Sequence, residues 1–269
     1  MKKLIIVMAL AILTSGCFSA NTIVKKPGIA SIKKVAVISV KADRNIKSLD
    51  GGGGLTSGLS MLGALSSKPK EKEDEGSIAN FAQDFANKSV DVIVRDLDRV
   101  ENWTVLDPKS YMNKSVYKDF VKSVGELNEK EFATLMKVQK IGTVHAEGMP
   151  AMLVPENYKE QLNKLASELN VDAFAFVRTK LEYKAGMMSL GGNGAGTAIT
   201  TAMVSVYDKT GKIRVHTGTY GYSGRSSENL ILVLGNVGLT DDSKGVFLDG
   251  LGDAVTKVAM QINKETKAK

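Results

Sequence analysis

The sequence predicts an α/β fold: a single three-layer-like domain with a mixed sheet, in which a β-α-β unit is followed by further helices, a β-hairpin and a C-terminal helix. Three observations carry this. The run Lys34-Val35-Ala36-Val37-Ile38-Ser39-Val40 is short, nearly continuously apolar and rich in β-branched residues, the composition of a strand covered on both faces. From Ser77, the residues Ile78, Phe81, Ala82, Phe85, Val92, Ile93 and Leu97 form a helical stripe, and a second short strand, Trp103-Thr104-Val105-Leu106, follows it and is closed by Pro108. Near the C-terminus, Phe247, Leu248, Leu251, Val255, Val258, Ala259 and Ile262 make the apolar face of an amphipathic helix.

The remaining elements follow in order. Residues 50–76 interrupt the first β-α-β unit with Gly51-Gly52-Gly53-Gly54, a Gly/Ser/Leu-rich stretch and the charged run Lys68-Pro69-Lys70-Glu71-Lys72-Glu73-Asp74-Glu75. Such a segment cannot bury enough apolar surface to offset an ordering entropy of about 1–2 kcal/mol per residue, so 50–76 is expected to be a disordered insertion. Asn128 and Glu131 mark a helix start, with Phe132, Leu135 and Met136 behind them. A stronger helix follows Pro155, with Tyr158, Leu162, Leu165, Ala166 and Leu169 on one face and Asn170 as a left-handed stop. Residues 172–183 and 197–207 read as strands, and Asp208-Lys209-Thr210-Gly211 supplies a tight turn into a third over 213–222. The folded domain is expected to span 33–263, preceded by a tether over 17–32 and followed by a frayed basic tail over 264–269.

Residues 1–16 resemble a bacterial lipoprotein signal peptide. Lys2 and Lys3 form the positive region and an apolar run from Leu4 to Leu13 forms the core. Thr14-Ser15-Gly16 then leads into Cys17, the only cysteine of the chain. The apolar run is too short to span a bilayer. The resemblance implies lipid attachment at Cys17, and Phe18 in the following position implies sorting to the outer membrane with the domain facing the periplasm.

Composition removes several classes of function. The net charge of +7 comes from Lys and Arg interspersed with Asp and Glu, and no basic run is interleaved with aromatics, so a nucleic-acid partner is not expected. One cysteine permits no disulfide framework, and His145 and His216 lie far apart without other ligands at metal-binding spacing, so neither a metal nor a cofactor is expected. Gly192-Asn193-Gly194-Ala195-Gly196 precedes a strand, not the helix N-terminus a dinucleotide requires, and Gly221-Tyr222-Ser223-Gly224-Arg225 lacks the second glycine of a nucleophile elbow. No catalytic residue and no small-molecule substrate are expected.

Several motifs together resemble the superfamily that contains the curli-secretion channel lipoprotein CsgG, the lipoprotein activator of a penicillin-binding protein and the N-terminal domain of TolB. They are the strand Val35–Val40, the helix segment Asp91-Val92-Ile93-Val94-Arg95-Asp96-Leu97, and Trp103-Thr104-Val105-Leu106-Asp107. Also part of the set are the junction Leu165-Ala166-Ser167-Glu168-Leu169-Asn170-Val171-Asp172-Ala173 and the hairpin Val204-Ser205-Val206-Tyr207-Asp208-Lys209-Thr210-Gly211-Lys212-Ile213. The resemblance covers residues 33–263 and implies the TolB N-terminal/CsgG fold. The connection 185–196 is shorter than the membrane-inserting hairpin of the channel branch.

The expectation is therefore a non-enzymatic lipoprotein of the outer membrane that binds an envelope protein or itself; the alternative is a subunit of an oligomeric CsgG-like secretion channel. Residues 51–65, 185–196 and 229–239 combine glycine with large apolar side chains and little charge. Leu230, Leu232 and Leu234, with Tyr220 and Tyr222 of the neighbouring strand, are the expected partner or subunit contact. A buried core strand at 230–234 is the other reading of the same pattern.

Overall fold

The computed structural model describes residues 23–49, 71–151, 155–188, 194–223, 230–233 and 236–267. Strands are β1 (Ile23–Val24), β2 (Lys34–Ser48), β3 (Thr104–Leu106), β4 (Thr143–His145), β5 (Ala173–Met188), β6 (Gly194–Asp208), β7 (Ile213–Tyr222), β8 (Leu230–Val233) and β9 (Asn236–Val237). Helices are α1 (Lys26–Ile29), α2 (Glu71–Leu97), α3 (Ser115–Gly142), α4 (Lys159–Leu169) and α5 (Asp241–Lys267). The strands form one mixed sheet in the order β1-β7-β6-β5-β2-β3, with β4 antiparallel to the far half of β2 and β8 pairing with β6. The β2–β3 and β2–β5 pairs are parallel, whereas β5, β6 and β7 form an antiparallel meander.

Alternation along the strands divides the core in two. On one face Val35, Val37, Val40 and Ala42 of β2, with Ala175, Val177 and Leu181 of β5, pack under Phe81, Phe85, Ile93 and Leu97 of α2 and Phe247, Leu251, Val255 and Ile262 of α5. On the other, Ala36, Ile38 and Phe174 are covered by Tyr117, Phe120 and Val124 of α3 and Leu162, Leu165 and Leu169 of α4. Helices thus lie on both faces of a mixed sheet, the α/β layering the sequence predicts. Asn170 adopts the left-handed conformation at the end of α4, with φ 53°. Asp208 Oδ1 accepts the N–H groups of Thr210 and Lys212 across the turn, where Gly211 has φ 73°.

Several boundaries differ from expectation, each for a physical reason. Helix α2 begins at Glu71, inside the charged run, because Glu and Lys are good helix formers and acidic side chains suit a helix N-terminus; residues 50–70 of the insertion lie outside the described residues. Helix α3 passes through Asn128 without a break, so its start at Ser115 precedes the apparent capping signal. The tether is shorter than 17–32: β1 joins the sheet at Ile23, and Ile29 and Ile32 are buried in the core. Residues 264–267 belong to α5 and not to a frayed tail.

Two tyrosines on the α3/α4 side separate burial from hydrogen bonding. The Tyr111 hydroxyl donates to the Val37 carbonyl at 2.6 Å, whereas the equally buried Tyr117 hydroxyl has no partner among the described residues. Tyr111→Phe is expected to cost about 1 kcal/mol, and Tyr117→Phe to be neutral or to add up to about 1 kcal/mol, because it removes an unsatisfied buried polar group. Urea unfolding midpoints of the two variants check the pair.

Candidate functional site: the open face of the sheet

Among the described residues the α3/α4 layer packs on Ala36, Ile38 and Phe174, and beyond it β2, β5 and β6 carry a polar strip that begins at a bulge. Pairing between β2 and β5 shifts register between Val37 and Ser39. Before the shift Val35 and Val37 face α2; after it Val40 and Ala42 do, so Lys41 and Asp43 turn to the opposite, open side. Lys41 stands opposite Arg178, which stands opposite Met203; Lys180 neighbours Thr201, and Glu182 neighbours Lys47 and Ile199. On the β4 side, His145 is opposite Lys41.

The strip is held by its own charges. Arg178 donates Nε and a terminal nitrogen to Asp43 Oδ1 at 3.1 and 3.0 Å, and Asp43 is only 6 % exposed. Thr201 donates to Glu182 Oε2 at 2.8 Å. Burial, with the Arg178 guanidinium as second cause, pushes the Lys41 ammonium from 10.5 down to about 8. Burial likewise pushes Lys180 down, with Arg178 again contributing. Cations outnumber carboxylates here, since Lys41, Lys47, Arg178, Lys180 and Lys184 face Asp43 and Glu182, so the strip favours an anionic or mixed polar surface.

Lys41 makes the strip sensitive to pH. Below pH 8 the buried ammonium is charged and its desolvation cost is fully present; between pH 8 and about 10 the unfolded chain holds the proton that the folded one has released, so stability rises with pH. Above about pH 10 the trend reverses, because burial pushes the Tyr111 and Tyr117 phenols up and the unfolded chain ionises first. The unfolding free energy is expected to climb by about 1–2 kcal/mol from pH 8 to 10. Most of that climb should vanish in Lys41→Met, and an equal climb in both proteins in urea titrations would refute the assignment to Lys41.

Beyond the strip, the β7 border presents apolar groups. Tyr220 and Tyr222 are 56 % and 43 % exposed, with ring centroids 5.7 Å apart in an edge-to-face arrangement, and Lys257 Nζ of α5 lies 5.9 Å from each centroid. Leu230 and Leu232, expected in the same contact, are instead 2 % and 0 % exposed: β8 pairs with β6 and turns both toward α5 and the core. Strand alternation leaves Ile231 as the outward residue, at 75 % exposure. Leu234 and Cys17 lie outside the described residues.

Sequence reasoning used neither the charged strip nor Ile23 and Ile231. The signal was present in Val177-Arg178-Thr179-Lys180-Leu181-Glu182-Tyr183-Lys184, where charge at every second position marks a strand with one wet face. The β2 bulge that brings Lys41 and Asp43 to that face has no such signature.

His216 is half-buried with Nδ1 2.8 Å from the Ser205 hydroxyl, and burial pushes its pKa down, leaving a neutral imidazole at neutral pH. Among the described residues no group of three His, Cys, Asp or Glu side chains is placed to hold a metal, and no helix is long and apolar enough to cross a membrane. A groove of about 410 Å³ between α3 and α4, lined by Val116, Phe120, Ser123, Gln161 and Leu165 among others, shares no residue with the charged strip. In comparison with known proteins, the chain matches no family model, no curated relative and no solved structure.

Proposed function

We propose that this chain is a lipid-anchored lipoprotein of the outer membrane whose periplasmic domain, of the TolB N-terminal/CsgG kind, binds an envelope protein or a further copy of itself and catalyses no reaction. The observation that carries the binding reading is the charged strip of Lys41, Asp43, Arg178, Lys180 and Glu182 on the sheet face beyond the α3/α4 layer. The anchor reading is supported by the Lys2-Lys3, apolar-run and Thr14-Ser15-Gly16-Cys17 sequence. The fold reading is supported by the β-α-β start, the β6–β7 hairpin and the closing helix α5.

A secretion-channel subunit is the second reading, and one feature favours it: the end of β7 and β8 alternate between buried Gly221, Leu230 and Leu232 and outward Tyr220, Tyr222 and Ile231. One preparation separates the two. Protein extracted from membranes in mild detergent is expected to begin at a diacylglycerol-modified Cys17 by mass spectrometry and to sediment as a monomer or a small complex. A large closed ring would give the channel preference, and an unmodified start elsewhere would end the lipoprotein reading.

A further inference from the structure

Four of the exposed large apolar side chains, Ile23, Tyr220, Tyr222 and Ile231, fall in one row, whereas Leu49 stands apart at the end of β2. Ile23 sits opposite His216, Tyr220 and Tyr222 continue along β7 on the same face, and Ile231 follows on β8, which pairs with β6 on the side that β7 occupies. The row therefore runs along one border, from beside Ser205 to beside Ala195 on β6, about 33 Å at 3.3 Å per residue. Met260, 65 % exposed, lies on α5 one turn beyond Lys257, whose ammonium stands against both tyrosine rings. Tyrosine with lysine beside isolated aliphatic groups is the composition of a membrane–water interface, where rings sit at headgroup level and ammonium groups reach phosphates.

Strand addition by a second copy fits this border poorly, because its backbone is already engaged. The Tyr222 N–H donates to Asp253 Oδ2 at 3.0 Å, and Lys257 Nζ, bonded to the same carboxylate at 2.7 Å, lies 3.4 Å from the Tyr220 carbonyl. A strand docking there would have to displace both α5 side chains.

Chain length argues for the bilayer instead. Ile23, at one end of the row, is six residues from Cys17, and six extended residues reach at most about 22 Å. A lipid on Cys17 holds this end of the sheet against the membrane. We propose that the β1/β7/β8 border is the membrane-facing side of the domain, with Ile23, Tyr220, Tyr222 and Ile231 seated in the phospholipid interface and the β3 edge turned away. The charged strip of β2 and β5 then stays open to the periplasm. The proposal rests on the Cys17 anchor, and its test keeps the two apart.

Lipidation blocks the only native thiol, so an introduced cysteine is the only one that labels. Full-length lipidated protein carrying Ile231→Cys, or Asn113→Cys beyond β3 as the distant site, is labelled with a fluorophore. Each is reconstituted into phosphatidylethanolamine/phosphatidylglycerol vesicles with a headgroup-region nitroxide lipid. Quenching at 231 is expected to exceed that at 113 severalfold, and to fall when Tyr220→Ser and Tyr222→Ser are added. Equal quenching at the two sites, with the N-terminal mass showing lipid on Cys17, overturns the orientation while leaving the anchor intact. An N-terminus without lipid fails the anchor itself. A label at 231 that is shielded equally in detergent without vesicles, in a particle of dimer mass, assigns the row to a second copy and also overturns the proposal.

Discussion

Leu232→Glu is expected to unfold the domain, whereas Ile231→Glu, one residue away, is expected to leave its melting temperature nearly unchanged. Leu232 is fully buried on β8 opposite Gly194, and its side chain occupies space left by another glycine: a Cβ built on Gly196 would stand 3.2 Å from Leu232 Cδ1. Around it are the apolar groups of the α2/α5 core. An unpaired charge in such a site costs several kcal/mol, against a total stability of about 5–15 kcal/mol for a domain. Ile231 points the other way at 75 % exposure, where a surface substitution changes stability by about 0.5 kcal/mol or less. Circular dichroism melts of the two variants decide it, and a cooperative, wild-type-like melt for Leu232→Glu would show that β8 is not part of the core. The pair also separates fold from function, since Ile231→Glu should weaken surface binding in a protein that is still folded.

That contrast shows where sequence pattern was informative and where it stopped. Five consecutive apolar residues at 230–234 announce either a core strand or a sticky surface, and periodicity alone cannot choose, because a strand offers alternate residues to opposite sides. The β6 ladder chooses, and it does so through Gly194 and Gly196, which pair with Leu232 and Leu230. Elements with a strong local signature were legible: the β7 bounds, the Asp208–Gly211 turn and the Asn170 stop each depend on residues adjacent in sequence. The β2 half of the charged strip was not, because Lys41 and Asp43 reach the open face only through the β2 bulge, set by a pairing with β5 more than a hundred residues away. The start of α2 was misplaced for a related reason. Its N-terminal turns carry charges and no apolar stripe, so a pattern that looks for a buried face begins where burial begins, at Ile78 and Phe81.

The strand and the helix that frame the proposed membrane border are tied together at one glycine, which makes Gly221→Ala the second substitution with a large expected effect. Gly221 lies on β7 between Tyr220 and Tyr222, facing α5. A Cβ built there would collide with the Gly250 carbonyl oxygen and the Ala254 amide nitrogen, both backbone atoms of α5. Flexible side chains can swing away from an intruding methyl, but a helix backbone has to translate as a body, and α5 is held by Phe247, Leu251 and Val255 in the core. Overpacking of this kind costs about 1–3 kcal/mol and more where nothing yields. Gly250 is the informative control: a Cβ there meets Thr200 Oγ1 at 3.1 Å and the Gly221 carbonyl at 3.2 Å, and alanine gains about 1 kcal/mol of helix propensity over glycine. Gly221→Ala is therefore expected to lower the unfolding free energy by about 3 kcal/mol, and Gly250→Ala to fall near zero. Because Asp253 and Lys257 hold the Tyr222 amide and the Tyr220 carbonyl from the same helix, displacement of α5 should also free the tyrosine pair. Hydrogen exchange over 241–267 and at the Tyr222 amide should accelerate together in Gly221→Ala. A loss below about 1 kcal/mol, with that amide still protected, would mean that β7 and α5 approach less closely than their glycines imply.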